Sequence, residues 1–391
     1  MEKVKLLFCH DRIIMGGVEK AFQEIATGLL KTNHYDIAVW CKTRITDPYF
    51  LDFFKSNGII VYEHLYDEQK NAGFGRNVLR FFRRFSNRYL NNKLFLSYAE
   101  KADIIIDFKN GCMQNRIKKI KNKPKIVWLH CSFKFLTQDV KVDYSIYDEI
   151  ICISNKLRVD MTEYLPELKN KFKTIYIPLY VEKIKSSASS DAKKHSLKTD
   201  AELLKNDYFI VVSRLSNDKD LDTVIEAYRQ FINETSSLTK LYFVGEGPDQ
   251  QRLESIVMYH KLEERIFFLQ KINEPYVLIK NAKASILSSR EEGSPLVIVE
   301  SMILKTIAVS SDCPTAPREL LNNGKCGVLF EPGNVRELKN IMIKIDARTM
   351  VADQFSKNID EWIGRFDSDT VLGQIDNLLK YHYNLSRSAR P

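Results

Sequence analysis

The stretch SSREEGSPLVIVESMILKTIAVSSD, residues 288–312, decides how this chain is read. With the residues just before it, ASILSS (284–289) reads as a buried strand, EEGSP (291–295) as a turn and LVIVESMIL (296–304) as a helix. Pro295 falls at the helix start, where its missing N–H costs nothing. The N–H groups of Leu296 and Val297 then lack intrahelical acceptors and, with the positive end of the helix dipole, face an anion. Glu292 stands before the turn formed by Gly293 and Ser294, and Glu300 lies one to two turns along the helix. Two carboxylates beside a phosphate-binding helix start suit a sugar joined to a nucleotide diphosphate. The same two residues also read as an acid at a helix N-terminus and a solvated helix residue. Spacing alone leaves both readings open.

Outward from this stretch, short apolar runs alternate with amphipathic segments, the pattern of βαβ units around parallel sheets. In the first half, VKLLFCH (4–10), YDIAVWC (35–41), GIIVYEH (58–64), ADIIIDF (102–108), KIVWLHC (125–131) and DEIICIS (148–154) read as strands, and VEKAFQEIATGLLKT (18–32) as a helix. These strands are apolar nearly throughout, as expected when helices cover both faces of a sheet. The polar, Ser/Lys/Asp-rich segment 183–207 breaks the rhythm and reads as a linker. The pattern then restarts with YFIVVSRL (208–215), KLYFVGEG (240–247), RIFFLQ (265–270), ASILSSR (284–290), TIAVSSD (306–312) and GVLFEP (327–332). The reading is therefore two α/β domains, 1–182 and 208–370, followed by an amphipathic helix in 371–391. Open parallel sheets take ligands beyond the carboxyl ends of their strands, so the chemistry is expected in the loops that follow them.

The composition agrees with this. At 391 residues the chain suits two cores rather than one, and 44% hydrophobic with 28% charged residues is globular. No apolar run approaches the length of a membrane span, and the N-terminal apolar stretch is too soon interrupted by His10-Asp11-Arg12 to serve as a secretory signal. Seven scattered cysteines without a CxxC pair fit reduced thiols in the cytoplasm. The net charge of +9 is compatible with phosphate-bearing small molecules, anionic lipid or nucleic acid, or with a solvated lysine-rich surface.

Three further segments carry chemistry. Arg214 and Lys219 fall in the loop leaving the first strand of the second domain, where two cations can neutralise a diphosphate. Gly245 and Gly247 follow the next strand but lack the third glycine of a dinucleotide fingerprint, so a nicotinamide site is rejected. GFGRNVLRFFRRFSNRYLNNKLF (73–95) repeats Arg76, Arg80, Arg83, Arg84 and Arg88 at helical spacing with aromatic residues between. It reads either as a helix lying on an anionic membrane surface or as an ordinary domain helix with its arginines in water.

EGSPLVIVE, with seven residues between its glutamates, is similar to the E-x7-E signature of retaining glycosyltransferases of family 4. SRLSNDK resembles that family's phosphate loop, LYFVGEGPDQQRL its VGxGP segment, and MGGVEKAFQEIATGLL its glycine loop and first helix. SSDCPTAPRELLNNGKCGVLFEPGN resembles the stretch after the signature. The resemblance covers most of the chain and implies a GT-B fold, two Rossmann-like domains with parallel sheets facing each other across a cleft. It implies that Glu292 contacts hydroxyls of the donor sugar, that Glu300 holds the ribose, and that Arg214 and Lys219 bind the diphosphate. Backbone N–H groups of Gly17, Leu296 and Val297 would bind the same phosphates, with Gly245, Gly293 and Ser294 beside the donor. His130, at a strand end in the first domain, would line the acceptor side of the sugar, although a lone histidine there is commonly structural. The last helix would pack back on the first domain.

The implied reaction moves a sugar from a nucleotide-diphosphate sugar, a UDP-sugar favoured, to a glycan or lipid-linked glycan of a surface polysaccharide or lipopolysaccharide. Lipid-linked acceptors weight 73–95 toward the membrane, giving a cytoplasmic protein at the inner face of the plasma membrane. No metal and no further cofactor is expected, and the DxD match Asp367-Ser368-Asp369, in a polar turn near the C-terminus, reads as a helix cap. Lys305, Ile307 and Ala316 depart from the family pattern, as does IPLYVE (177–182), which places local loop geometry in question. Three rivals remain: a nucleic-acid binder, for which no recognised motif is present; a GT-B protein that binds a sugar nucleotide as an inactive scaffold; and another sugar-nucleotide enzyme on the same fold, such as an epimerase.

Overall fold

The computed structural model describes residues 3–14, 16–63, 77–139, 141–189, 203–272 and 274–388, with residues 77–88 and Asp139 described as backbone only. The segments 64–76 and 190–202, and with them the side chains of Arg76, Arg80, Arg83, Arg84 and Arg88, lie outside the described residues. A helix does run from Asn77 to Lys101.

The chain divides into two compact units, one holding residues up to Pro178 together with the segment from Ser368, the other holding Leu179–Asp367. Each is built on one parallel sheet. In the first unit the strands are β1 (Val4–His10), β2 (Tyr35–Cys41), β3 (Ile60–Glu63), β4 (Ile104–Asp107), β5 (Lys125–Leu129), β6 (Glu149–Cys152) and β7 (Phe172–Thr174), in the order β3-β2-β1-β4-β5-β6-β7. The second unit has β8 (Tyr208–Val212), β9 (Lys240–Val244), β10 (Ile266–Leu269), β11 (Ala284–Leu287), β12 (Ile307–Ser311) and β13 (Val328–Phe330), in the order β10-β9-β8-β11-β12-β13. Both sheets therefore reverse direction beside their first strand, as in a Rossmann-like doubly wound fold, and both confirm the two-sheet reading of the sequence.

The strands are apolar because both faces are covered. In the first unit Phe8, Phe22 and Phe108 form an edge-to-face cluster with centroids 5.2 to 5.8 Å apart. In the second, the helix Leu221–Thr235 turns Leu221, Val224, Ile225, Tyr228 and Phe231 inward, at spacings of three and four that place them on one face. Each such side chain contributes about 1.5–3 kcal/mol on full burial.

The chain passes between the units at 178/179 and 367/368. The Leu179 N–H donates to the Phe366 carbonyl at 2.8 Å, and Lys183 Nζ lies 2.9 Å from Glu274 Oε1. Residues from 183, read from the sequence as linker, thus begin within the helix Val181–Ser187 of the second unit. Short polar helices of this kind carry too little apolar periodicity to be seen in sequence.

The last helix, Ser368–Ser388, belongs to the first unit, with Asp369 in its first turn. It buries Val371, Ile375, Leu378, Leu379 and His382. Leu372 closes over Gly28, where an added Cβ would stand 2.2 Å from Leu372 Cδ1, so a side chain there would have to push Leu372 aside. The Tyr35 hydroxyl donates to Asp376 Oδ1 at 2.7 Å. His382 Nε2 lies 2.9 Å from Glu149 Oε2, which also meets Lys173 Nζ at 3.1 Å, and both His382 and Glu149 are buried. Truncating His382 would open a void and leave a buried carboxylate short of a partner. We expect His382→Ala to destabilise the first unit by about 3 kcal/mol in urea unfolding, and a loss under about 1 kcal/mol would show that the helix is held by its apolar face alone.

Candidate functional site

The second sheet reverses between β8 and β11, which pair directly through Phe209 with Ala284 and Ile210 with Ser285. The connections from these two strands leave toward opposite faces, so a crevice opens beyond their carboxyl ends. The loop after β8 carries Arg214 and Lys219, and the loop after β11 carries Glu292. The structure brings them together. Lys219 Nζ lies 2.7 Å from Glu292 Oε1, which also accepts from Ser289 Oγ at 2.6 Å. Both side chains are largely sheltered, at 16% and 11% exposure, whereas Arg214 remains 65% exposed.

Arg214 joins the pair through a residue that the sequence reading did not single out. Asp218 Oδ1 lies 3.3 Å from Arg214 Nη2 and accepts from Ser216 Oγ at 2.6 Å, while its Oδ2 is 3.5 Å from Lys219 Nζ. The signal was present in SNDK, an acid four residues after one cation and next to another. Asp218 serves as internal counter-ion to two cations. Burial raises its carboxyl pKa, but the Ser216 hydroxyl, Lys219 and Arg214 outweigh that and hold it below the ordinary range. For Lys219, burial works against the ammonium, and the charges of Glu292 and Asp218 more than restore it, leaving its pKa above the ordinary lysine value.

The loop turns are enforced by close backbone approach. Gly245 has φ +146°, and a Cβ there would stand 2.0 Å from the Ser213 carbonyl oxygen. Beside it, Gly247 leaves no room for a side chain against the carbonyl of Leu215, at 2.1 Å. The Leu215 N–H donates to the Glu246 carbonyl at 3.0 Å, so the glycines bring the β9 loop against the cation loop.

Glu292 opens directly onto a helix, Leu296–Ile303, with Gly293 and Ser294 in the turn and Pro295 at the N-cap. No side chain caps this helix and no acid lies in its first turn, so Leu296 and Val297 present their N–H groups at a terminus whose dipole is unopposed within the helix. Glu300 is buried at 4% exposure, which removes the reading of it as a solvated helix residue. Thr315 forms an isolated parallel bridge with Glu292 and holds φ +92°, unusual for a β-branched residue. Its hydroxyl is buried with no hydrogen-bond partner among the described residues. One-dimensional spacing carries no sign of that contact.

Gly17 and His130 belong to the first unit. Gly17 opens the helix Gly17–Lys31, and Glu19 in its first turn is buried and paired with Lys109 at 2.6 Å. His130 follows β5, its ring 4.6 Å from that of Phe108, with neither ring nitrogen hydrogen-bonded among the described residues. Burial, with a contribution from Lys109, pushes its pKa down to about 3, so the imidazole is neutral. His10, at the end of β1 and overlooked in the sequence, is likewise buried, neutral and without a hydrogen-bond partner among the described residues.

Residues 194–362 match the model of the family described as glycosyl transferases group 1. Through this segment the chain is similar to the group 1 glycosyl transferases. It is 24% identical over 275 residues to an uncharacterized glycosyltransferase of Methanocaldococcus jannaschii, covering 63% of this chain and 66% of that one. It is 29% identical over 105 residues to the lipopolysaccharide 1,6-galactosyltransferase of Salmonella typhimurium, covering 26% and 29%. These alignments thus span two thirds of the curated relatives' length at most. The crystal structure of Anabaena HepE in complex with UDP superposes with a TM-score of 0.75 at 20% identity, covering 97% of this chain and 100% of that one. The fold of this chain is accordingly GT-B.

A depressed carboxyl pKa stabilises the fold above the ordinary value and loses that contribution as pH falls through the folded one. The stability difference between the wild type and Asp218→Asn, followed by urea unfolding, should therefore be constant at neutral pH and shrink below the ordinary aspartate value of 3.8. A difference that grows on acidification would contradict the counter-ion assignment.

Proposed function

We propose that this chain is a group 1, retaining glycosyltransferase that moves a sugar from a nucleotide-diphosphate sugar to a glycan or lipid-linked glycan. The observation that carries the proposal is the meeting of Lys219 and Glu292 at the switch point, next to the uncapped helix start at Leu296. A diphosphate bound there finds an ammonium, a guanidinium and two helix N–H groups, while the adjoining carboxylate addresses hydroxyls.

In the reaction, the bond between the anomeric carbon and the diphosphate oxygen breaks and its electron pair leaves with the diphosphate. The acceptor hydroxyl oxygen bonds to the same face of the sugar, and its proton passes to the departing phosphate oxygen. Negative charge grows on the diphosphate as positive charge grows on the sugar, so preorganised cations and amides aimed at the diphosphate supply the main catalytic effect. Arg214, Lys219 and the N–H groups of Leu296 and Val297 take that part. Glu292 leaves Lys219 for the sugar hydroxyls when donor binds, and Glu300 accepts from the ribose. In the first unit, His130 and the N–H of Gly17 retain the roles that the family resemblance implies. Neutral imidazole suits a contact with hydroxyls, as donor on one nitrogen and acceptor on the other.

The UDP in the HepE complex supports a uridine donor for this chain, and the lipopolysaccharide galactosyltransferase among its relatives supports a cell-surface glycan as acceptor. No helix among the described residues is long and apolar enough to cross a membrane. The family resemblance and the arginine-rich sequence of 73–95 are what support a lipid-linked acceptor at the cytoplasmic face of a membrane.

Steady-state kinetics with a UDP-sugar distinguish the two main assignments. Arg214→Ala should lower kcat about 100-fold, since it removes charge stabilisation that grows in the transition state. Glu300→Ala should instead raise the donor KM about tenfold or more with a smaller change in kcat, because a ribose contact is made equally in ground and transition states. Negligible effects of both would remove the site.

A further inference from the structure

The loop after β8 and the loop after β11 are fastened to each other beyond the Lys219–Glu292 contact. The Arg290 N–H donates to the Asp218 carbonyl at 3.0 Å, and Ser288 Oγ donates to the Lys219 carbonyl at 2.7 Å. The third tie is between side chains, Arg290 Nη2 to Asp220 Oδ1 at 3.0 Å. Asp220 is 3% exposed, and its other oxygen accepts from Thr223 Oγ1 at 2.9 Å in the first turn of the helix Leu221–Thr235. Its backbone sits in the left-handed region, at φ +48° and ψ +46°. An L-residue other than glycine meets a steric cost there, which persists only where surrounding contacts over-determine the conformation. Here the contacts are a buried carboxylate bonded on both oxygens, and the residue so constrained directly follows Lys219.

We infer that Asp220 and Arg290 form a positioning clasp, which fixes the turn after Lys219 and so holds its ammonium at the crevice opposite Glu292. The inference rests on the donor-site reading of Lys219 given above. Neither clasp residue touches reacting atoms. Lysine is a point charge on a flexible four-carbon stem, so its value to a leaving diphosphate depends on how narrowly its backbone is held. Displacement of a catalytic group by about 1 Å costs on the order of 100-fold in rate. The clasp also explains why a largely exposed arginine, at 66%, is directed inward to a buried acid rather than into solvent.

Asp220→Asn keeps a side chain that tolerates the left-handed region and still accepts from Thr223, while losing the charge that holds Arg290. Arg290→Ala removes the other half. Each single variant should lower kcat about tenfold or more with donor KM changed less than about threefold, and the double variant should be no worse than the worse single, because both remove one device. A merely structural role would lower the melting temperature and leave kcat per folded molecule unchanged, which would overturn the clasp, as would multiplying effects in the double. A second readout is independent of turnover: competitive labelling with acetic anhydride, read by mass spectrometry as the reactivity of Lys219 relative to the other lysines. Release of the ammonium should raise that reactivity about threefold or more in each single and no further in the double. Unchanged labelling in the variants overturns the clasp whatever the activity. Absence of turnover by the wild type with changed labelling overturns the donor-site reading and leaves the clasp standing.

Discussion

When a parallel sheet reverses its strand order beside its first strand, the two central strands send their connections to opposite faces. Neither connection then covers the carboxyl ends of that pair, and a crevice is left that the fold cannot close with its own backbone. This chain meets the constraint twice. In the first unit it falls between β1 and β4, in the second between β8 and β11. At both places a lysine from one loop reaches an acid from the other connection: Lys109 to Asp11 at 3.4 Å and to Glu19, in the helix that follows, at 2.6 Å, and Lys219 to Glu292 at 2.7 Å. The polar groups that cannot be buried by secondary structure are instead paired across the gap.

Such pairs are weak sources of stability. Taking an ammonium and a carboxylate out of water costs several kcal/mol per ion, and their attraction repays it only in good geometry with further hydrogen bonds. In the second unit those further bonds come from Ser289 to Glu292 and from Ser216 to Asp218. The arrangement makes more sense as preorganisation. Cations held at the crevice before a diphosphate arrives need no reorganisation as charge develops, and that is the condition under which fixed charges act strongly on a reaction. Asp218, paired with both Arg214 and Lys219, offsets the repulsion between the two cations. In the proposed donor site, the unopposed helix start at Leu296 would complete the anion-binding edge without any added charge.

Much of this was legible in the one-dimensional pattern, for identifiable reasons. Strands such as Val4–His10 and Lys240–Val244 are apolar nearly throughout, and the helix Leu221–Thr235 has unmistakable periodicity. β7, a three-residue edge strand with Lys173 at its centre, has neither property and went unread. In the site, Glu292, Lys219 and Arg214 stood out because strand-end loops are where ligands bind and because their spacing resembles a known signature. Asp220 and Arg290 did not, since their meaning lies in a contact between loops some 70 residues apart, whereas Asp218 carried a local signal in SNDK that went unread. Thr315 could not be found at all from sequence. Its backbone strain and its bridge to Glu292 exist only in three dimensions.

The central claim, that the second unit binds a nucleotide-diphosphate sugar through charge and helix amides, is tested most directly by thermal unfolding of the whole chain with UDP-, GDP- and ADP-sugars, each with and without EDTA. The account predicts stabilisation by one nucleotide series, the uridine one, of about 2.7 kcal/mol at 100 times the dissociation constant, unchanged by EDTA. No shift with any of the three series at millimolar concentration would contradict it.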